Sequence, residues 1–284
     1  MLQLYHYGTA VCAAKVRIVL AEKRLEWEGI TVILGLDGGT PAPGVLTQHD
    51  PVYLKLNPNG VVPTLVHDGK VVIESTVILE YLDDAFPQFS LRPVDFHERA
   101  RMRLWLKRLD DGLHAAAGVL MNAVGYRHRY LDMKPEALER YLKEVRDPDK
   151  RAVKKQVIEQ GSDAPQVIGA LHRFQRVLAD LEIRLGDAQW LAGGAYSLAE
   201  AAYAPYMYRL ETMQMAELWE HDLPRVRDWY MRIKERPSFS QGIIAPAIAA
   251  NFDLLREKGK VEWPKLRTKL LPRSQLPAAA GLPT

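Results

Sequence analysis

The stretch from Asn57 to Phe86 constrains the fold more than any other part of the chain. Asn57-Pro58-Asn59-Gly60 is a turn signal, and the hairpin dipeptide Asp68-Gly69 separates two short apolar runs, Thr64–Val66 and Val71–Ile73. Val77, Ile78, Tyr81 and Leu82 then put one apolar face on a helix from Glu74 to Phe86, which Pro87 ends. Upstream, Leu2 to Tyr7 alternates like a short strand and is broken by Gly8 and Thr9. Val16, Ile18, Val19 and Leu20 fall at helical spacing between Val11 and Lys23, and Trp27 to Leu34 reads as a second strand. Asp37 to Pro43 is Gly/Pro-rich and reads as a loop. The order is βαβ, a linker, then ββα, which is a small mixed sheet with helices on its faces.

Beyond Pro93 the periodicity is helical only. Asp95–Gly125 reads as one long helical stretch. Tyr126–Gln166 is strongly charged, with turns at Asp147-Pro148 and Gly161-Ser162, and Val167–Leu185 is amphipathic. Ser197 and Glu200 stand at capping-box spacing, and Asp222–Arg236 and Phe239–Lys258 supply two further helices. The expected organisation is an α/β domain over residues 1–91, an all-α domain over 95–258, and a Pro-rich basic tail over 259–284 that is poorly ordered. Lys258, Lys260, Lys265, Arg267, Lys269 and Arg273 in that region read as a solvated face.

Composition narrows the classes. The chain has 284 residues, 48% of them apolar, enough for a sizeable core. No apolar run approaches the ~20 residues needed to span a bilayer, and Met1–Arg17 lacks the layout of a secretory signal. Cys12 is the single cysteine, which excludes an internal disulfide or a paired-cysteine metal site and makes a reducing, cytoplasmic setting the default. A net charge of +3, with both signs mixed, gives no segregated basic face for nucleic acid. His114, His128 and His172 are widely spaced and form no metal-ligand cluster.

Two features carry chemistry. Pro63 begins a strand straight after a turn, where it cannot donate to a ladder. A cis Val62–Pro63 bond would turn the Val62 N–H and C=O outward to pair with an extended peptide, and an ordinary trans proline is the alternative. Glu74-Ser75 falls where a strand ends and a helix begins, and the unpaired N–H groups of a first helical turn favour a carboxylate. Ser75 can add a hydroxyl, Glu74 can pair with an ammonium, and simple capping is the alternative. A peptide held at Val62, with its α-amino acid end at Glu74-Ser75, would be glutathione-like.

The run Asn57-Pro58-x-Gly60-x-Val62-Pro63-x-Leu65, then Asp68-Gly69, then Glu74-Ser75-x-x-Ile78-x-x-Tyr81-Leu82, resembles the glutathione site of the cytosolic glutathione transferases. Ser197-Leu198-Ala199-Glu200 resembles that family's helical capping box, with Glu where Asp is usual. The resemblance covers almost the whole chain up to about Lys258. Gln48-His49, Tyr53-x-Lys55-Leu56-Asn57-Pro58 and Asp68 to Ile78 are similar to the bacterial β-aryl-etherase-type transferases, as is the charged insertion between Tyr126 and Gln166. The resemblance implies a thioredoxin-like N-terminal domain, an all-helical C-terminal domain, a homodimer, and glutathione as cosubstrate. It implies glutathione contacts from Gln48, Val62, Pro63, Glu74 and Ser75. The reaction it implies is attack by a thiolate on a small hydrophobic or aromatic electrophile, held where the two domains meet, including β-aryl ether cleavage.

Glutathione's thiol must be stabilised as thiolate, by a donor and the positive end of the first helix. Thr9, in the strand-to-helix loop, is the first candidate, Cys12 in the first helical turn the second, and Tyr5 in the strand the third. Ala10 and Ala13 stand where relatives commonly carry Ser. Met207, Tyr208, Met213 and Met215 are candidates to line an apolar acceptor pocket facing Thr9, with Met121 and Tyr206 candidates for the same wall. Trp105, Trp190, Trp219 and Trp229 read as core. Two other classes stay open: a thiol–disulfide oxidoreductase working through Cys12, and a non-catalytic glutathione- or ligand-binding protein.

Overall fold

The computed structural model describes residues 1–35, 45–145 and 147–276, so the loop expected over Asp37–Pro43 lies outside the described residues. The chain forms two compact units, each discontinuous in sequence. Unit 1 holds Met1–Leu106, Trp190–Met207 and Tyr230–Ile248, and unit 2 holds Lys107–Gln189, Tyr208–Trp229 and Ala249–Thr284.

Unit 1 is built on a five-stranded sheet in the order β3-β2-β1-β4-β5, from β1 (Leu2–His6), β2 (Glu28–Ile33), β3 (Leu46–Thr47), β4 (Thr64–His67) and β5 (Lys70–Ile73). β1 runs parallel to β2 and antiparallel to β4, so Tyr5 stands opposite Ile30 on one side and Thr64 on the other. The β4–β5 hairpin turns as its dipeptide requires, with Asp68 at φ 49° and Gly69 at φ 79°. Helix α1 (Val11–Glu22) follows β1. Helix α2 (Pro51–Leu56), absent from the sequence reading, is set by Asp50, whose carboxylate accepts from the Val52 N–H at 2.8 Å, and by Pro51 at its first turn. Helix α3 (Ser75–Ala85) begins directly after β5.

The remaining helices are α4 (Phe96–Arg108), α5 (His114–Met121), α6 (Arg127–Leu131), α7 (Pro135–Glu144), α8 (Pro148–Gln160), α9 (Pro165–Asp187), α10 (Leu198–Thr212), α11 (Glu217–Glu220), α12 (Pro224–Lys234), α13 (Pro237–Phe239) and α14 (Ala249–Leu266). The mixed-sheet and helical classes of the sequence reading are both present. Asp147 caps α8 by accepting from the Asp149 and Lys150 N–H groups, and Gly161 ends it at φ 57°. All four tryptophans named above are buried.

Three expectations are corrected. The long helix over Asp95–Gly125 is broken at Gly112, whose φ of 128° no helix accommodates. The single helix over Phe239–Lys258 is two pieces, because the chain leaves helical geometry around Pro246 before α14. The tail is not loose from residue 259 onward. Helix α14 runs on to Leu266, burying Trp263 and Leu266, and Trp263 Nε1 donates to Glu217 at 2.9 Å. Past it, the Gln175 side-chain amide clasps Leu271 in both directions, at 3.0 and 3.1 Å. Several of the basic groups are paired, Lys265 with Glu262 and Lys269 with Asp163 among them. Residues 277–284 lie outside the described residues.

Candidate active site

The site begins at the β1–α1 turn. Thr9 is buried, and the residue that starts α1 is Ala10, extended at φ −71°, ψ 122° and with no side chain to cap the helix. Thr9 is therefore not the N-cap, and it directly precedes the residue at the positive end of a twelve-residue helix. Cys12 sits in that first turn, partly exposed. Tyr5 is further back in β1, its ring 5.8 Å from that of Tyr53.

Arg17 fastens this turn from inside the core. It is 2% exposed, and its guanidinium donates to the carbonyls of Tyr7 (3.2 Å), Gly8 (2.8 Å) and Gly242 (2.8 Å) and to His6 Nδ1 (3.2 Å). Burial pulls its pKa down to about 10. Burial, reinforced by the Arg17 charge, pulls His6 to about 4, so its ring is neutral near pH 7 and can accept at Nδ1. Gly8 is required by close approach, since a Cβ there would lie 2.1 Å from the Pro246 carbonyl oxygen.

The second part is the bend before β4. The Val62–Pro63 bond is cis, and both residues are buried. The Tyr53 hydroxyl and Asn57 Nδ2 both donate to the Val61 carbonyl, and both also meet Thr64 Oγ1, at 2.9 and 3.0 Å. Burial raises the Tyr53 pKa, keeping the phenol protonated as a donor. Among the described residues neither the N–H nor the C=O of Val62 has a hydrogen-bond partner. Val62 shares a buried cluster with Tyr7, Ala13 and Tyr53, against which Ala10 and Ile248 pack, and this places the bend beside the first turn of α1. Gln48 is close by: its carbonyl oxygen would lie 3.0 Å from a Cβ at Gly60, and its amide meets His49 Nε2 at 2.9 Å.

The third part is the start of α3. Glu74 holds a left-handed φ of 67°, unusual for a non-glycine residue and costly by about 1–3 kcal/mol. Its exposed carboxylate accepts from Asn59 Nδ2 at 3.4 Å. Ser75, the first helical residue, is buried and accepts at Oγ from Lys15 Nζ at 3.2 Å. Sequence reasoning missed Lys15 and Arg17 because helical charges are expected on a solvated face. Here α1 is buried on nearly every side from Val11 to Leu20, charges included. The signal was available: both cations interrupt an otherwise apolar helix.

The structure gathers Thr9, Cys12, Val62, Pro63, Glu74 and Ser75 in unit 1 around the ends of α1 and α3, with Gln48 at the bend. The acceptor candidates divide. Tyr206 belongs to unit 1 and is 1% exposed, its ring facing Lys15 Nζ at 5.2 Å, whereas Met121 and Tyr208 belong to unit 2 and are partly buried. Among the described residues no group of three or more His, Cys, Asp or Glu is placed to hold a metal, and no helix is long and apolar enough to cross a membrane.

Comparison with known proteins identifies the family. Residues 4–90 match the model of the glutathione S-transferase N-terminal domain and residues 135–232 that of the C-terminal domain. Protein LigF of a Sphingobium species is 32% identical over 84% of this chain and 92% of its own length. A maleylacetoacetate isomerase of Pseudomonas aeruginosa is 31% identical over 84% of this chain and 94% of its own. The crystal structure of beta-etherase LigF from Sphingobium sp. strain SYK-6 superposes with a TM-score of 0.70 at 29% identity, covering 85% of this chain and 98% of that one. The chain belongs to the glutathione S-transferase family, and its cosubstrate is glutathione.

Proposed function

We propose that this enzyme stabilises the glutathione thiolate with the Thr9 hydroxyl and the first turn of α1, for attack on a hydrophobic, aromatic electrophile, with aryl ethers the class to test first. The supporting observation is the unpartnered main chain of Val62, set beside the open end of α1 and completed by Ser75 at the start of α3. In this reading the Val62 N–H and C=O pair with the peptide's cysteinyl unit, and Ser75 and the α3 N-terminus take the γ-glutamyl carboxylate. Glu74 takes the ammonium, and the Gln48 amide adds a further contact. Residues 1–91 carry this glutathione domain and 95–258 supply the acceptor side, in a cytoplasmic homodimer.

Thr9 is chosen over Cys12 and Tyr5 because its hydroxyl is in the turn itself and is not the helix cap, whereas the Tyr5 ring is packed against Tyr53. The choice of an aryl ether rests on likeness to a protein whose structure is titled a beta-etherase. In that reaction a C–S bond forms, the C–O bond breaks, and the aryloxide leaves and takes a proton from water. Positioning and a lowered thiol pKa are the protein's contribution.

The test is ultraviolet difference absorbance of bound glutathione across pH, followed by turnover of aryl ethers. A thiolate formed well below pH 8.5, with kcat lowered at least tenfold in Thr9→Ala and little in Cys12→Ala, is the expected result. Loss confined to Cys12→Ala, with a mixed disulfide, would move the assignment to thiol–disulfide exchange. No thiolate at any pH near neutral would leave a binding protein.

A further inference from the structure

Lys15 of α1 and Lys23 at its C-cap are both buried against α3, and they are treated differently. Lys23, 3% exposed, donates to the Asp83 carboxylate at 2.8 Å, and Asp83 also accepts from the Leu91 N–H at 2.8 Å and Ser90 Oγ at 2.9 Å. Lys15 is two helical turns earlier on the same side and 0% exposed, and its partners are neutral. They are Ser75 Oγ at 3.2 Å and the face of the Tyr206 ring at 5.2 Å. Among the described residues no carboxylate pairs with it.

That position is doubly unfavourable for a cation. A buried charge without a counter-ion carries a desolvation penalty, and the N-terminus of α3, where Ser75 sits, is itself the positive end of a helix dipole. An anion at the start of α3 offsets both, because it gives the ammonium a counter-charge and sits favourably at the helix end. An ammonium is also donor-only. Against Lys15 the Ser75 oxygen must accept, which leaves the hydroxyl proton to be donated to whatever lies at the helix end.

The geometry points to Lys15 as a positioning residue for the ligand's α-carboxylate: it supplies the counter-charge and holds Ser75 as an obligate donor. This inference deepens the glutathione assignment of the same site and rests on it. A residue of this kind lowers the stability of the empty protein and raises its affinity for the anion, two effects that a purely structural lysine would not show together.

The experiment is calorimetric titration and thermal unfolding of the full-length protein and Lys15→Met, with glutathione and with 4-aminobutyryl-cysteinyl-glycine, which lacks only the α-carboxylate. Lys15→Met is expected to unfold at an equal or higher temperature than the parent when empty. It should bind glutathione about tenfold or more weakly, the loss expected from one charge-assisted contact, and bind the decarboxylated peptide as the parent does. Lys15→Gln, which keeps a donor for Ser75 without the charge, should fall between. Equal losses for both peptides, unchanged glutathione affinity, or a Lys15→Met protein that fails to fold would each overturn the inference. If the parent protein itself binds no glutathione, the functional assignment falls instead, which keeps the two failures distinct.

Discussion

Replacing Arg17 by Met should loosen the catalytic turn and destabilise the fold by an amount that can be worked from its contacts. The substitution keeps the buried length of the side chain but removes every donor. The carbonyls of Gly8 and Gly242 then lose their partner in a buried site, while that of Tyr7 keeps the Ala10 N–H at 3.1 Å. Each orphaned buried acceptor costs about 1–3 kcal/mol, and the two share one donor group, so their costs do not simply add. Removing the guanidinium also relieves the burial that holds its pKa down to about 10, which offsets part of the loss. A net destabilisation of about 3 kcal/mol follows, or a fall in Tm of about 6–12 °C for a protein of this size. Because two of the three carbonyls precede Thr9 directly, kcat should fall as well, with the bound-thiolate pKa moving back toward that of free glutathione. Scanning calorimetry and thiolate absorbance on the same samples read both effects. Arg17→Lys should recover little of either, since a point ammonium cannot span groups set in the fan of a guanidinium. A Tm within about 2 °C of the parent, or full recovery by Lys, would refute the account.

Two further outcomes can be checked by unfolding in urea. In Glu200→Gln the buried carboxylate that accepts from the Leu191 N–H (2.6 Å), the Ser197 N–H (2.9 Å) and Ser197 Oγ (2.6 Å) is replaced by an amide whose NH2 must face a donor in either orientation. A loss of about 2–4 kcal/mol is expected, and one below about 0.5 kcal/mol would show that the capping box contributes little here. The folded-state pKa of His6, about 4 against 6.5, means the unfolded chain binds its proton first. The stability this supplies is complete above pH 6.5 and is lost as pH falls from 6.5 to 4. His6→Gln should flatten that part of the pH–stability curve, and an unchanged slope would place the titration on another group.

Local chemistry accounts for what could be read without coordinates. Asp68-Gly69 makes a two-residue turn because both positions take positive φ, and Ser197 to Glu200 closes its capping box within four residues. Val62-Pro63 and Ser75 could likewise be placed, because a proline at a strand start and a serine at a helix start are local facts about donors and acceptors. The break at Gly112, the split near Pro246 and the packed extension beyond Lys258 are different. The extension depends on residues far along the chain, Glu217 for Trp263 and Gln175 for Leu271.

The residues around the site divide along the same line. Sequence alone set the mixed-sheet and all-helical classes, and spacing within a few residues offered Val62, Ser75 and a glutathione-like ligand, while Thr9 entered through the family resemblance. Only the tertiary structure made Lys15 and Arg17 part of the site. Helical periodicity assigns a charge to solvent by default, and which sides of α1 are covered is decided by the sheet, by α3 at Ser75 and by the chain near Gly242, more than two hundred residues away. Burial, and with it the strength of every charge, is a property of neighbours that meet only when the chain has folded.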